Sequence, residues 1–253
     1  MSSEPDPAVT PILLYHDVVR GAPSSPWEIR VDDLAAQLDA VLRSGRAVLC
    51  ASALDAVLLD GSQTARPRCA VTFDDGYASF AELVLPLLRE RSLPATLYVT
   101  TGQLGLPNML SESALSDLFG GPVEIGAHSV RHPHLDLLPL SAADDEIRRS
   151  RDHLAQLLGS VPASFAYPHG SFNRGVRGLV RDAGYANCYA VKNAFSHDRD
   201  DPYARARLTV LADTGQAVVD GWLAGRGAPR SWRRERLRTT VFRRVRAVRG
   251  RLS

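Results

Sequence analysis

Short apolar runs recur along the chain, and most are followed by a longer segment in which apolar residues return every three or four positions. The runs with the length and composition of strands are 12–16 (ILLYH), 47–50 (AVLC), 69–73 (CAVTF), 95–99 (ATLYV), 123–127 (VEIGA), 164–167 (SFAY), 186–191 (ANCYAV) and the shorter 208–210 (LTV). Uninterrupted apolar runs of this length are typical of strands that are covered on both faces. The pattern therefore predicts a parallel sheet.

Helical periodicity fills the intervals between several of these runs. Residues 31–44 carry one apolar stripe and stop at Gly45, a residue that commonly ends helices. Similar patterns cover 78–91, 141–158 and 173–183. Repeated alternation of strand and helix indicates one α/β domain with helices outside the sheet. The pattern alone leaves open whether the sheet closes into a barrel or stays open.

Composition excludes several classes of protein. The chain has 253 residues, 45% of them apolar, enough for one large soluble domain. No apolar run approaches the length of a membrane span, and the first residues lack the pattern of a secretory signal. We therefore expect a cytoplasmic location or one at the inner face of the membrane. Cys50, Cys69 and Cys188 have no CxxC spacing, and we expect them to be reduced.

Polar clusters follow three of the predicted strands. Asp74 and Asp75 come directly after CAVTF, His128 follows VEIGA with His132 four residues later, and the turn 168–170 (PHG) follows SFAY. In βα architectures the carboxyl ends of the strands meet on one face, so these clusters are expected to lie together.

The residue types in these clusters are complementary. Two imidazoles and one carboxylate form a common three-ligand set for a divalent cation, with a position left open for water. A second carboxylate beside them could act as a base toward that water, because adjacent side chains of an extended segment point in different directions. Each cluster alone is better explained as a turn or a surface feature, but the three together favour a metal site.

These motifs also resemble those of a known family. TFDDGY, HSVRH and FAYPHG are similar, in order and spacing, to the first three motifs of the polysaccharide deacetylases, the NodB-homology group of carbohydrate esterase family 4. The resemblance extends over about residues 12–210. It implies a distorted (β/α) barrel of about seven parallel strands. It also implies metal-dependent removal of N- or O-acetyl groups from sugars.

The resemblance assigns roles to individual residues. Asp75, His128 and His132 would hold one divalent metal ion, for which we expect Zn²⁺, with Co²⁺, Ni²⁺ and Mn²⁺ as alternatives. The cation would polarise the acetyl carbonyl and lower the pKa of its water. Asp74 would take the proton of that water as general base. The backbone N–H of His169 would stabilise the oxyanion.

The third motif departs from the commonest family pattern. Many members carry an arginine there that pairs with the base, and here Ala166 occupies the position. FAYPHG is closer to the variant of a subgroup that includes poly-N-acetylglucosamine deacetylases, in which an arginine of a later segment supplies the charge. We nominate Arg207 to orient Asp74, with Arg205 as the alternative. The family's usual acid motif is absent, and we nominate His197 to protonate the leaving amine.

Further residues are candidates for contact with substrate. Tyr77, Tyr167 and Pro168 are candidate sugar contacts, with core packing as the alternative for the tyrosines. His16, at the end of the first strand, is expected either in the pocket or in the core. Ser129 would help to fix the histidine loop.

The charge is distributed unevenly. Residues 230–253 carry ten arginines and one glutamate, a sum of +9, which leaves −7 for the rest of a chain whose net charge is +2. We expect a deacetylase-like catalytic domain over 8–224, then a linker and a basic tail over 225–253. Read as a helix, the tail could lie on an anionic membrane surface, but it could also dock on the acidic body or be solvated. Nucleic-acid binding is not expected, since no segment resembles a recognition module.

Two functions are consistent with the sequence. The first is a metal-dependent N-deacetylase acting on an N-acetylated sugar, oligosaccharide or glycoconjugate. The second is a carbohydrate-binding protein of the same fold with little or no turnover. The absent arginine of the third motif and the unassigned acid keep the second interpretation open.

Overall fold

The computed structural model describes residues 6–59 and 66–231. The strands in these ranges are β1 (Ile12–Tyr15), β2 (Asp17–Val19), β3 (Glu28–Arg30), β4 (Ala47–Val48), β5 (Arg68–Phe73), β6 (Ala95–Val99), β7 (Val123–Ala127), β8 (Ser164–Ala166), β9 (Asn187–Val191) and β10 (Arg205–Thr209). The α-helices are α1 (Val31–Arg43), α2 (Ala51–Leu59), α3 (Leu85–Glu90), α4 (Glu112–Leu118), α5 (Leu140–Leu158), α6 (Arg174–Asp182) and α7 (Gln216–Leu223). In the described part of the chain, no helix is long and apolar enough to span a bilayer.

Seven parallel strands close into a barrel. Their order is β1-β10-β9-β8-β7-β6-β5, and β1 pairs with both β10 and β5, so the sheet has no free edge between them. The short strand β4 pairs with the first residues of β5, before β6 pairs with the last ones. The predicted (β/α) barrel is confirmed, and its closure is the point that the hydrophobic pattern alone left open.

Successive side chains of each strand point alternately into the barrel and outward to the surrounding helices. Ala70 packs in the cluster inside the barrel, whereas Val71 and Phe73 pack in the larger core between the barrel and the helices. Because side chains of a strand alternate between its faces, Asp74 continues the inward-facing series of Ala70 and Thr72. The strand thus delivers one of the two adjacent acids to the barrel interior.

Strand β7 has a glycine where the interior is most crowded. A Cβ atom at Gly126 would lie 2.4 Å from the ring of Tyr98, so a side chain at this position would displace that ring. Gly126 shares its face with Glu124 and with His128, which follows the end of the strand. The glycine therefore leaves room for Tyr98 beneath His128.

Helix α2 covers the amino-terminal end of the barrel, and the sequence pattern did not predict it. The Ala51 N–H donates to Thr96 Oγ1 at 2.9 Å, and the Tyr189 hydroxyl donates to the Ala51 carbonyl at 2.8 Å. Farther along the helix, Asp55 accepts a hydrogen bond from Arg205 Nε at 2.7 Å, and both side chains are buried. This end of the barrel is therefore filled by protein.

The segment after α7 is bound to the barrel. The Phe195 N–H donates to the Pro229 carbonyl and the Ser231 N–H donates to the Phe195 carbonyl, each at 2.8 Å. Arg230 also forms an ion pair with Asp6 at 3.3 Å. Residues 225–230, which the sequence suggested as a linker, thus contact the barrel through Pro229 and Arg230. The remainder of the predicted basic tail, 232–253, lies outside the described residues.

We expect Asp55→Ala to destabilise the protein by about 3–5 kcal/mol, because it leaves the Arg205 guanidinium buried without its carboxylate. The free energy of unfolding is measured by urea titration. The control is Asp144→Ala, which removes an exposed pair with Arg148 on α5 and is expected to cost less than about 1 kcal/mol. Equal small losses in the two variants would contradict the structural role of the buried pair.

Candidate metal centre and active site

The two adjacent acids diverge because the chain turns between them. Asp75 has a φ of 75° and Gly76 a φ of 93°, and the Gly76 N–H donates to the Asp74 carbonyl at 3.0 Å. A positive φ is unfavourable for a residue other than glycine, and such strain concentrates at functional sites. The turn directs Asp75 toward the histidines, while Asp74 remains on the barrel side.

His128 is held with one ring nitrogen free to bind a cation. Its Nδ1 lies 2.8 Å from the Ala166 carbonyl oxygen. Since a carbonyl can only accept a hydrogen bond, Nδ1 carries the proton and the Nε2 lone pair is exposed to the site. A carbonyl in this position is the usual partner of a metal-binding histidine.

The loop that carries His132 is fixed from two sides. The His132 N–H donates to Ser129 Oγ at 3.0 Å, which is the role that the sequence suggested for Ser129. The buried carboxylate of Glu146, on α5, accepts from the N–H groups of Val130 and Arg131 at 2.9 and 2.8 Å. His132 and Ser129 both have positive φ values, so these bonds hold a strained loop.

The three predicted ligands meet at one point. The Nε2 atoms of His128 and His132 are 3.1 Å apart, and Asp75 Oδ1 lies 3.5 and 3.3 Å from them. In a tetrahedral zinc site with bonds of about 2.0–2.1 Å, neighbouring ligand atoms are about 3.3 Å apart. The residues therefore fit a divalent cation in donor type, tautomer and spacing, and these three form the candidate cluster that the described residues contain.

The second acid is paired with an arginine inside the barrel. Both terminal nitrogens of Arg207 donate to the carboxylate oxygens of Asp74 at 2.7 Å. Arg207 is fully buried and lies over the ring of Tyr98, 5.4 Å from its centroid. This is the placement predicted for Arg207, whereas the alternative, Arg205, pairs with Asp55 at the opposite end of the barrel.

The two acids differ in their ionisation. Burial raises the pKa of Asp74, but the charge and hydrogen bonds of Arg207, together with His128 and His16, lower the net pKa to about 2. Burial and then the Asp74 charge raise the pKa of Asp75 to about 7. Burial lowers the pKa of His128 to about 3, so its imidazole is neutral. A bound dication would lower the pKa of Asp75 again, because it favours the ionised carboxylate.

The cluster lines a cleft of about 320 Å³ at the carboxyl ends of the strands. Tyr77 and His169, two of the predicted site residues, line it. His169 adopts a left-handed conformation in the turn Pro168–Gly170, and its ring stacks on His134 with centroids 3.8 Å apart. His16 also lines the cleft, and burial lowers its pKa to about 4.

Two predicted substrate contacts are instead core residues. Tyr167 is fully buried, its hydroxyl donates to the Tyr203 carbonyl at 3.0 Å, and its ring stacks on Phe172. Pro168, the first residue of the turn Pro168–Gly170, is also buried. Neither side chain lines the cleft, so both assignments are corrected.

The predicted acid His197 lies at the wrong end of the barrel. Its neighbour Ser196 pairs with Thr10, which precedes β1. The cleft lies at the other end of β1, and at about 3.3 Å per residue the two ends of this segment are about 16 Å apart. His197 Nε2 donates to the Ser231 carbonyl at 3.0 Å. This residue cannot reach a substrate in the cleft, and its assignment is corrected.

Four residues that contribute to the site were not predicted. Trp27, Gln103 and Val191 line the cleft, and Glu146 holds the histidine loop. Trp27 and Gln103 belong to segments outside the motifs, and Glu146 lies on a helix among many charged residues. Only the buried position of Glu146 distinguishes it from the exposed acids of α5.

We expect Glu146→Gln to weaken the binding of Zn²⁺ by about 10- to 100-fold, because the loop that positions His132 loses a charged acceptor. The affinity is measured by competition with a chromophoric chelator. The control is Glu112→Gln, which removes an exposed partner of His153 and is expected to leave Zn²⁺ affinity unchanged. Unchanged affinity in Glu146→Gln would contradict the positioning role.

Comparison with known proteins gives consistent matches. In solved structures, the deacetylase PplD of Streptococcus pyogenes, in complex with acetate, has a TM-score of 0.78 at 21% identity over 83% of this chain and 96% of that one. IcaB of Ammonifex degensii has a TM-score of 0.76 at 24% identity over 86% and 97%. At these identities the likeness establishes the fold.

Sequence relatives extend beyond the matched region. Poly-β-1,6-N-acetyl-D-glucosamine N-deacetylase of Staphylococcus aureus is 22% identical over 166 residues, 60% of this chain. The Bacillus subtilis protein YxkH is 21% identical over 179 residues, 71% of this chain. The matched parts span 57% and 63% of these relatives' lengths. The family model described as polysaccharide deacetylase matches residues 61–188, half of the chain, and includes Asp74, Asp75 and both histidines of the cluster. The chain thus belongs to the polysaccharide deacetylase family.

Proposed function

We propose that the protein is a metal-dependent hydrolase that removes N-acetyl groups from a carbohydrate. The observation that carries this proposal is that a candidate metal site and a second, ionised carboxylate line the same cleft. The three ligand atoms of Asp75, His128 and His132 lie within 3.5 Å of one another, and the arginine-paired carboxylate of Asp74 lies 3.7 Å from His128 Nε2.

The chain would hold one divalent cation through Asp75, His128 and His132. Zn²⁺ is our first assignment, with Co²⁺, Ni²⁺ and Mn²⁺ as alternatives. Such a cation supplies Lewis acidity, which polarises a carbonyl and lowers the pKa of water. The contacts with Ala166, Ser129 and Glu146 keep the ligands oriented, as outer partners do at metal sites.

Asp74 is the group that receives a proton. Arg207 fixes its carboxylate with two parallel hydrogen bonds and keeps it ionised. As water attacks the acetyl carbon, a C–O bond forms and one proton passes to Asp74. The backbone N–H of His169 remains our candidate donor to the oxyanion.

Asp74 also supplies the proton that the leaving nitrogen needs. A carboxylic acid, with a usual pKa of about 4, is a much stronger acid than an ammonium group, with a pKa of about 10. Transfer from Asp74 to nitrogen is therefore favourable as the C–N bond breaks, and acetate and a free amine are released. This route replaces the one through His197 and requires no second protonated side chain in the cleft.

The substrate that we propose is an N-acetylated sugar within an oligosaccharide or glycoconjugate. The family supports this class, and the name of the S. aureus relative specifies a polymer of N-acetylglucosamine. The acetyl group would enter the cleft, while the rest of the saccharide remains at its mouth.

The alternative function, carbohydrate binding without turnover, has lost one of its two grounds. It was favoured because Ala166 occupies the position of the usual arginine. Arg207 now pairs with Asp74 from a different strand, so the base has its counter-charge. The site therefore favours turnover over binding alone.

We expect Asp74→Asn to reduce acetate release by about 10²–10⁴-fold, because the amide cannot accept the proton of the attacking water. Release of acetate from a β-1,6-linked N-acetylglucosamine tetramer is measured with added Zn²⁺ and after chelation, which should abolish wild-type activity. Unimpaired turnover by Asp74→Asn, or full activity of the wild type after chelation, would refute the mechanism.

His197→Ala is the matched control for this experiment. We expect its rate of acetate release to stay within about twofold of the wild type, since general acid–base groups must lie within hydrogen-bond reach of the reacting atoms. A loss comparable to that in Asp74→Asn would restore His197 as the acid and contradict the proton route through Asp74.

A further inference from the structure

An exposed tryptophan lies at the edge of the cleft. Eight large apolar side chains of the described residues are 45–59% exposed, and Trp27, at 49%, is the one of these that lines the cleft. Its ring lies beside that of His16, with centroids 4.8 Å apart and planes inclined by 59°. The tilted contact supports one part of the indole, while about half of the side chain remains open to solvent.

The backbone on both sides of Trp27 is anchored. The Pro26 carbonyl accepts from the Ala212 N–H at 2.9 Å, and Glu28 begins β3, which pairs with β2. The Glu28 carboxylate also accepts from the N–H and hydroxyl of Ser24, at 2.6 and 2.7 Å. An exposed indole on a fixed segment is a preorganised surface, so little conformational entropy is lost when a ligand covers it.

The chemistry of the cleft is divided in a way that suits a sugar. Its lining combines the two acids and the histidines with the apolar surface of Trp27 and Val191. A pyranose ring likewise has polar edges and a face of C–H groups. Flat aromatic side chains bind such faces well, because they offer a large, rigid apolar area.

We propose that Trp27 forms a sugar-binding subsite, on which the apolar face of a pyranose ring packs while its acetamido group reaches the cluster of Asp75, His128 and His132. The inference rests on the proposed function and adds to it a residue that selects saccharides over small acetylated compounds. Trp27 acts through binding and takes no part in bond breaking.

The test separates binding from turnover in a series of variants. For the β-1,6-linked N-acetylglucosamine tetramer, Trp27→Ala is expected to raise KM about tenfold and to leave kcat within about twofold. Trp27→Phe, which keeps a flat ring, should restore most of the affinity, whereas Trp27→Leu should not. Phe119→Ala is the matched control, because Phe119 is 45% exposed and does not line the cleft.

Ligand binding is then measured without turnover. Calorimetric titration of the same tetramer into Asp74→Asn, alone and combined with Trp27→Ala, should show an affinity about tenfold lower in the double variant. If the wild type releases acetate and Trp27→Ala has an unchanged KM, the subsite is refuted and the proposed function stands. If the wild type releases no acetate but the tetramer binds through Trp27, the deacetylase proposal fails and the subsite stands.

A purely structural role for Trp27 predicts a different pattern. In that case kcat for the tetramer and for ethyl acetate, which has no ring to pack, would fall together in Trp27→Ala, and Trp27→Leu would match Trp27→Phe. The subsite predicts unchanged hydrolysis of ethyl acetate in every Trp27 variant. Should Trp27→Ala fail to fold, the comparison of the Phe and Leu variants still decides the question.

Discussion

The buried pair of Asp74 and Arg207 is the interaction on which the site depends. A carboxylate inside a barrel is strongly destabilising unless a cation and hydrogen bonds compensate it. The compensating arginine lies on β10, Asp74 directly follows β5, and β1 lies between these two strands. The pair therefore requires the barrel to be closed through β1. The contact between Asp74 and Arg207 thus depends on closure of the barrel and also keeps the Asp74 carboxylate ionised.

The same contact explains how two neighbouring acids acquire opposite properties. Asp74 is ionised because an arginine holds both of its oxygens, whereas Asp75 has its pKa raised by burial and by Asp74 itself. A cation held beside the histidines would favour the ionised form of Asp75. The strained turn at Asp75 and the hydrogen-bonded loop before His132 hold the ligand atoms in place. The positive φ values in these loops and the raised pKa of Asp75 would both be accounted for by a cation bound at the three ligand atoms.

The sequence predicted the parts of the site that follow strand ends. Asp74 and His128 each directly follow a parallel strand, with Asp75 next in the chain, and that position alone places them on one face. His197 was misplaced because a long connection can reach either end of a barrel before the next strand starts, and spacing does not reveal which. Tyr167 follows the inward-facing Ala166, so alternation would have predicted its outward orientation. Trp27 had no such signal, since its contact with the cleft arises from tertiary packing.

Helix α2 closes one end of the barrel, which determines how a small molecule can enter and leave it. With Ala51 bonded to β6 and β9, and Asp55 to Arg205, the lumen is a packed blind end rather than a channel. Any molecule that enters at the histidines must leave by the same mouth. In the proposed reaction, acetate would therefore have to leave through the opening that the saccharide still covers. Product release, as well as bond breaking, would then limit the rate of turnover.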